Sequence, residues 1–358
     1  MTRRLFTSTL AAAPLAAQAP APEIEWSDAK RLTVEGLGFK DLASPYDRLP
    51  KRAEGVVRDA VWNLSRDSSG VAVRFMANTK SIHARWSLRS KTLAGPTMTA
   101  VGQSGLDLYA RNAAGKWQWL GIGRPTQFPE NTAELFGGLP AGDREYMVYL
   151  PLRNGVTSLE IGVPKGSRLD QGPMRAAGSK PIVFYGTSIT HGIAASRPGM
   201  THVAILGRMF DREVINLGFS GNGKMEPEVT KFVTEIDASV YVIDCLPNMT
   251  AADVRARAEA CVKQVRAARP RTPILIVEDR NYADGFLNAS RRDRNATNHA
   301  AMREVYAKLV KEKVPGLLYL KGEELLGDDG EATIDGSHPT DLGFMRQATA
   351  FARVLKGL

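Results

Sequence analysis

A hydroxyl, an imidazole and a carboxylate are enough for nucleophilic acyl chemistry at neutral pH. This chain carries them in two short segments. The first reads Pro181-Ile-Val-Phe-Tyr-Gly-Thr-Ser-Ile-Thr-His-Gly192 and places Ser188 just after an apolar strand, at the start of a helix. The second, Asp335-Gly-Ser-His338, supplies a carboxylate and an imidazole three residues apart. A free hydroxyl is a poor nucleophile, so Ser188 needs a base. His338 can take its proton and return it to a leaving alcohol, with Asp335 holding the ring tautomer. Between the two segments lie Asn216-Leu-Gly-Phe-Ser-Gly221 and Asp244-Cys-Leu-Pro-Asn248. The backbone N–H groups of Ser188 and Gly221 and the amide of Asn248 are three candidate donors to an oxyanion. Losing one such donor typically costs roughly 3–4 kcal/mol of transition-state stabilisation. Each residue alone has a plainer reading: Ser188 as a helix N-cap, Gly221 as a turn glycine, Asn248 as the cap of a helix from Thr250 onward. Together with the Asp335–His338 pair, in this order, the three point to a serine hydrolase.

In type and order these residues resemble the SGNH (GDSL-like) hydrolase superfamily. Its four named positions match Ser188, Gly221, Asn248 and His338, with Asp335 as the usual partner of the histidine. The match covers residues 180–358. One departure is plain: the usual Gly-Asp-Ser block reads Gly186-Thr187-Ser188, which leaves open how the turn is hydrogen-bonded. Upstream, Gly105-Leu-Asp-Leu-Tyr109 resembles the GxDLY segment of a β domain that precedes one SGNH subgroup. The resemblance implies an α/β chain: a three-layer αβα SGNH-hydrolase (flavodoxin-like) domain behind an N-terminal β-sandwich of jelly-roll type. It further implies ester hydrolysis through an acyl-enzyme on Ser188, without metal or organic cofactor. Similar enzymes with such a β domain include carbohydrate O-acetylesterases, so the expected substrate is a short-chain, acetyl-type ester on a saccharide or small molecule. A lipase or thioesterase is one alternative, although no apolar lid insertion separates the strands. A carbohydrate-binding protein without catalysis is the other.

Other polar groups have open roles. His191 could be a second base or line the rim. His202 and His299 fall on helices, and His83 falls on a strand of the β domain. Asp244, Glu278, Asp279 and Arg280 lie near strand ends, where they could bind substrate hydroxyls or serve as caps and loop polarity. Tyr109, Trp117 and Trp119 could stack on a sugar ring or belong to a core. Asp107 lies between Leu106 and Leu108, so it points to the opposite face from them, where a domain interface could lie.

The elements that must position these groups follow from apolar patterning. Residues 20–30 read as a Pro/Ala-rich linker. Residues 31–165 alternate apolar and polar positions, as in Val71–Phe75, Ile82–Leu88, Tyr146–Leu150 and Val156–Ile161, which predicts half-buried strands of a sandwich. Residues 165–180 read as a polar linker too short to let two domains roam. Beyond it, short apolar strands (Ile182–Tyr185, Val214–Leu217, Val240–Ile243, Ile274–Val277, Leu317–Leu320) alternate with helices near 201–210, 252–268, 295–313 and 341–355. That alternation predicts a parallel sheet covered on both faces, with function outside the carboxyl ends of its strands.

The chain has 358 residues and a formal charge of +9, spread without a basic run, which favours a solvated surface over a nucleic-acid partner. Met1-Thr-Arg-Arg4, a short apolar stretch and Ala17-Gln-Ala19 read as a signal peptide over residues 1–19. The run Thr2-Arg-Arg-Leu-Phe6 resembles a twin-arginine export signal. Export is the expectation, with no membrane span. The two cysteines, Cys245 and Cys261, could be bridged or remain inert buried thiols.

Overall fold

The computed structural model describes residues 22–358; the expected leader and the first residues of the expected linker lie outside them. Two antiparallel sheets form the N-terminal part. One has the order β1 (Ile24–Asp28), β9 (Val156–Pro164), β4 (Ser81–Leu88), β7 (Glu130–Gly137). The other has the order β10 (Arg168–Gln171), β3 (Ala72–Asn78), β8 (Arg144–Tyr149), β5 (Leu106–Arg111), β6 (Trp117–Gly123), with β2 (Thr33–Glu35) also on β3. Phe75, Trp86, Leu108, Tyr146, Val148 and Ile161 meet in one apolar core, two-residue periodicity having sent alternate side chains of each strand inward.

Two boundaries differ from expectation. The segment 20–30, read as a linker, contains β1, which pairs with β9 from Ile24↔Pro164 to Asp28↔Glu160. The segment 165–180 contains β10, paired with β3. Both strands are short and largely polar, so patterning alone did not distinguish them from linker.

The C-terminal part is a five-stranded parallel sheet in the order β12 (Val214–Gly218), β11 (Ile182–Gly186), β13 (Val240–Asp244), β14 (Ile274–Val277), β15 (Leu317–Leu320). Val183, Tyr185, Leu217 and Ile243 face α5 (Pro227–Glu235), α6 (Ala251–Ala268) and α7 (Ala289–Lys311). Ile182, Phe184, Val242 and Leu275 face α4 (His202–Phe210) and α8 (Asp341–Leu355). Strands apolar on both faces are what a doubly covered parallel sheet requires. Cys245 and Cys261 are free and buried in the first of these cores. Among the described residues no helix is long and apolar enough to cross a membrane.

The two parts share their interiors. Between β2 and β3, residues 36–71 leave the sandwich as a strap that carries α1 (Asp59–Ser65). Its Phe39, Leu49, Ala53, Val57, Val61 and Trp62 are buried in the core of the parallel-sheet domain, against residues such as Phe232 and Ile236. On the opposite face, Met98, just before α2 (Ala100–Ser104), and Leu152 of the β part enter the second core.

Candidate functional site

The carboxyl ends of β11, β12 and β13 lie side by side in the sheet, so the segments that follow them converge. After β11 the chain turns through Thr187 into α3 (Ser188–His191). Thr187, not Ser188, is the N-cap: its Oγ1 accepts from Ile189 N at 3.3 Å. The Thr at this place therefore supplies the hydrogen bond that the turn needs and leaves the Ser188 hydroxyl free. That hydroxyl lies 2.9 Å from Nε2 of His338, and Ser188 is 7% exposed.

His338 sits on the loop between β15 and α8, across the domain from Ser188 in sequence. Its Nδ1 lies 2.7 Å from Oδ2 of Asp335, whose Oδ1 accepts from the backbone N–H of His338 at 2.8 Å and of Ser337 at 3.0 Å. A ring that donates from Nδ1 to a carboxylate presents Nε2 as the acceptor, the tautomer that can take a hydroxyl proton. Burial pulls the Asp335 carboxyl upward. The hydrogen bonds from the His338 N–H, the His338 ring and the Ser337 N–H outweigh it and hold the group below its ordinary value, as an anion. Arg291 of α7 steadies the loop by donating Nη1 to Asp335 O and to Asp284 Oδ1, each at 3.1 Å.

The turn after β12 holds Gly221 at φ +70°, a left-handed conformation that favours glycine. A Cβ there would meet open space, so the requirement at this position is conformational rather than steric. Asn248 ends the short 3₁₀ turn Leu246–Asn248. It does not cap α6; Thr250 and Asp253 do so with a reciprocal capping box. Asn248 Oδ1 instead accepts from Gly223 N at 3.2 Å, which orients the side chain and leaves its NH₂ free to donate. Gly223 itself packs so closely on Gly186 O that no side chain fits. Gly223 and Arg291 were not singled out from the sequence, and Thr187 was noted only as a departure whose bonding was left open. A Thr before a helix is a legible cap signal; the other two carry none.

The remaining polar candidates sit elsewhere. His191 is fully buried, with Nε2 3.3 Å from Nη2 of Arg48 and 3.4 Å from Oδ2 of Asp67. Burial, then the charges of Arg48 and Arg153, push its imidazole well below the ordinary value; its complete burial keeps it from substrate, so it is neither a second base nor a rim residue. Arg48, from the strap, donates to Gly218 O at 2.7 Å and Asn216 O at 3.1 Å, fastening the end of β12 from beneath. Asp244 and Arg280 form a buried ion pair, to which Thr190 Oγ1 donates at 3.1 Å. Glu278 is buried under Arg303, Tyr319 and the N–H of Gly322. Asp279 is buried beside Arg294, and burial raises its carboxyl to about 6. These four are committed to internal pairs. His202 is stacked between Phe344 and Phe351, His299 is bonded to Asp279 O, and His83 to Ser81 Oγ. Tyr109 is buried and Trp117 is partly covered by Arg111, whereas Trp119 is 50% exposed.

Beyond β14 and β15 a cavity of about 460 Å³ adjoins the Asp335–His338 loop. Asn281, Tyr282, Phe286, Asp328 and Thr333 are among its lining residues, and Phe286 is 79% exposed.

The arrangement can support proton transfer from Ser188 to His338, with Asp335 orienting the ring. If it does, Asp335→Asn keeps the shape but presents the wrong tautomer, and kcat should fall by about 10⁴. A fall below about tenfold, measured on a small aryl ester, would mean that another group orients His338.

Residues 179–356 match the family model described as GDSL-like lipase/acylhydrolase, and residues 24–169 match GxDLY, the N-terminus of Esterase_SGNH_hydro-type. A crystal structure of a Bacteroides ovatus ATCC 8483 protein assigned to the GDSL-like lipases superposes with a TM-score of 0.88 at 34% identity, covering 93% of this chain and 98% of that one. A salicylyl-acyltransferase, SsfX3, from a tetracycline biosynthetic pathway gives 0.72 at 20% identity, over 94% and 98%. A family two carbohydrate esterase from Clostridium thermocellum, in complex with cellohexaose, gives 0.55 at 14% identity, over 80% and 92%. The last two establish likeness of fold alone. No match was found among curated proteins.

Proposed function

From the premise that this chain belongs to the GDSL-like lipase/acylhydrolase family, we propose that it is a serine esterase acting on short-chain acyl esters, acetyl above all, carried by saccharides. The observation that carries the reading is the Ser188–His338–Asp335 relay, at 2.9 Å and 2.7 Å. Ser188 attacks the ester carbonyl while His338 takes its proton. The oxyanion is held by the N–H groups of Ser188 and Gly221 and the amide of Asn248. His338 then protonates the leaving alcohol. Water, activated by the same imidazole, releases the acid from the acyl-enzyme.

The saccharide part of the reading is supported by the lining of the cavity beyond β14 and β15. Asn281, Asp328 and Thr333 offer groups for hydroxyls, and exposed Phe286 offers a face for a sugar ring. Export, read from the leader over residues 1–19, agrees with a polysaccharide source. A longer acyl chain is the competing reading, favoured by the exposure of Phe286 and Leu287 on that rim.

An acyl-length series of p-nitrophenyl esters, run beside acetylated xylo- and cello-oligosaccharides, separates the two. We expect acetate to be the best aryl ester and acetate to be released from the oligosaccharides. Each buried methylene contributes about 0.8 kcal/mol, so a true acyl groove would show kcat/KM climbing steadily from acetate to octanoate. Such a climb would overturn the short-acyl reading, and a failure on every acetylated oligosaccharide would overturn the saccharide one.

A further inference from the structure

Asp107, the acidic residue of the GxDLY segment, has no contact with Ser188 or His338 in the hydrogen-bond pattern, yet it is fully buried and heavily engaged. Its Oδ2 accepts from the backbone N–H of Gly199 at 2.7 Å and from Nη1 of Arg197 at 2.8 Å, and its Oδ1 accepts from the indole of Trp119 at 3.0 Å. Leu106 and Leu108 point the other way, into the sandwich core. A buried carboxylate is tolerated only with such donors, and two of the three come from the other domain. Arg197 also donates to the Tyr109 hydroxyl and lies over the rings of Tyr109 and Trp119, at 5.4 Å and 5.3 Å. A side chain at Gly199 would strike Tyr109 and the Asp107 carboxylate.

The loop gripped in this way runs from the end of α3, which starts with Ser188, to α4. Its middle residue, Ser196, is gripped again by the β domain: Thr99 Oγ1 donates to Ser196 O at 2.6 Å. Ser196 in turn donates its N–H to Asp341 Oδ1 at 2.9 Å and its hydroxyl to Asp341 Oδ2. Asp341 is the first residue of α8, three residues after His338 and joined to it through Pro339 and Thr340. The base segment is thus held on one side by its own Asp335 turn and on the other by a loop that the β domain holds in place.

We propose that Asp107 is a positioning residue for the catalytic base. By fixing residues 197–199 it fixes Ser196, and Ser196 fixes the Asp341 end of the His338 segment against the Ser188 helix. The β domain then takes part in turnover through the separation of Ser188 Oγ and His338 Nε2, not only through stability. This inference rests on the serine-esterase reading above. A misplacement of about 1 Å in such a relay can cost about 10²-fold in rate.

The test is a double-mutant cycle on the full chain with p-nitrophenyl acetate. Asp107→Asn and Ser196→Ala should each lower kcat about 10- to 100-fold and leave KM within about twofold. The double variant should be no slower than the slower single one, because both changes interrupt the same path. Multiplicative losses would mean independent effects and overturn the proposal. If Asp107→Asn fails to fold, Ser196→Ala alone decides: it removes one hydroxyl, and full turnover in that variant overturns the proposal. Ser188→Ala is the control for the underlying reading. Turnover retained there sinks the esterase mechanism itself, whereas a dead Ser188→Ala beside a fully active Ser196→Ala sinks only the positioning role.

Discussion

Replacing Ser188 with alanine is expected to lower kcat on a small aryl acetate by about 10⁶, the scale seen when the nucleophile of a comparable relay is removed. The fold should be unaffected. Ser188 does not cap α3, since Thr187 does. Its hydroxyl is bonded to His338, and no other hydrogen bond to it is formed among the described residues. Loss of one hydroxyl at a 7% exposed position removes little packing, so the melting temperature should stay within about 2–4 °C, the shift that about 1 kcal/mol produces in domains of this size. A fall in melting temperature as large as that of a core variant would show that the serine serves the fold instead. Labelling gives an independent readout: an active-site-directed phosphonate should modify Ser188 alone, and modification elsewhere would remove it from the nucleophile's role.

The second large effect concerns the β part as a whole. A chain beginning near Ala176 retains all five parallel strands and every residue of the relay. It loses the strap, however, and with it Phe39, Leu49, Val57, Val61 and Trp62 from the core. Fully burying a side chain of this kind contributes about 1.5–3 kcal/mol, so the loss is on the order of 10 kcal/mol. That is comparable to the whole stability of an ordinary domain, about 5–15 kcal/mol. The shortened chain also exposes Phe232 and Ile236 and frees the end of β12 from Arg48. It should be insoluble, or soluble without a cooperative melt. A soluble product with the parent's melting temperature and unchanged turnover on aryl acetate would show that the strap is dispensable. Activity lost only on polymeric substrate would instead mark the β part as a tethered sugar binder.

The relay was legible from residue types and order, because chemistry demands few substitutes at those places, and the strand ends that carry it were legible as apolar runs. Ile274–Val277 begins and ends where patterning put it, since a strand buried on both faces has nowhere to hide a polar residue; Leu317–Leu320, a half-buried edge strand, was legible as an unbroken apolar run. Helix α7 starts at Ala289, six residues before the expected Asn295, because its first turns, Ser290-Arg-Arg-Asp-Arg294, are polar and lack an apolar stripe. The fate of Asp244, Glu278, Asp279 and Arg280 was not legible at all. Each stands at a strand end, as a substrate ligand would. What decides their role is the partner that the fold brings from afar, such as Arg280 reaching Asp244 or Arg303 reaching Glu278. The strap was hidden for the same reason. Residues 36–71 hold few regular elements, and most of their apolar side chains answer to a core that lies mostly beyond residue 180.

That last arrangement has a consequence for how the chain is made. The strap leaves the ribosome early, but the surface that its Phe39 and Arg48 meet, on β12 and α5, is not complete until residue 236 has been synthesised. At about 5–20 residues per second the wait is roughly 8–33 s. During that time Phe39, Leu49 and Trp62 lack the parallel-sheet core they pack against, and the sandwich strands on either side of the strap can pair without it. The nascent protein therefore passes through a stage in which its first domain is largely built while a sticky segment hangs from its flank. Holdase chaperones that recognise short apolar stretches should engage residues 36–71 in arrested chains ending near residue 180 and release them in chains carried well past residue 236.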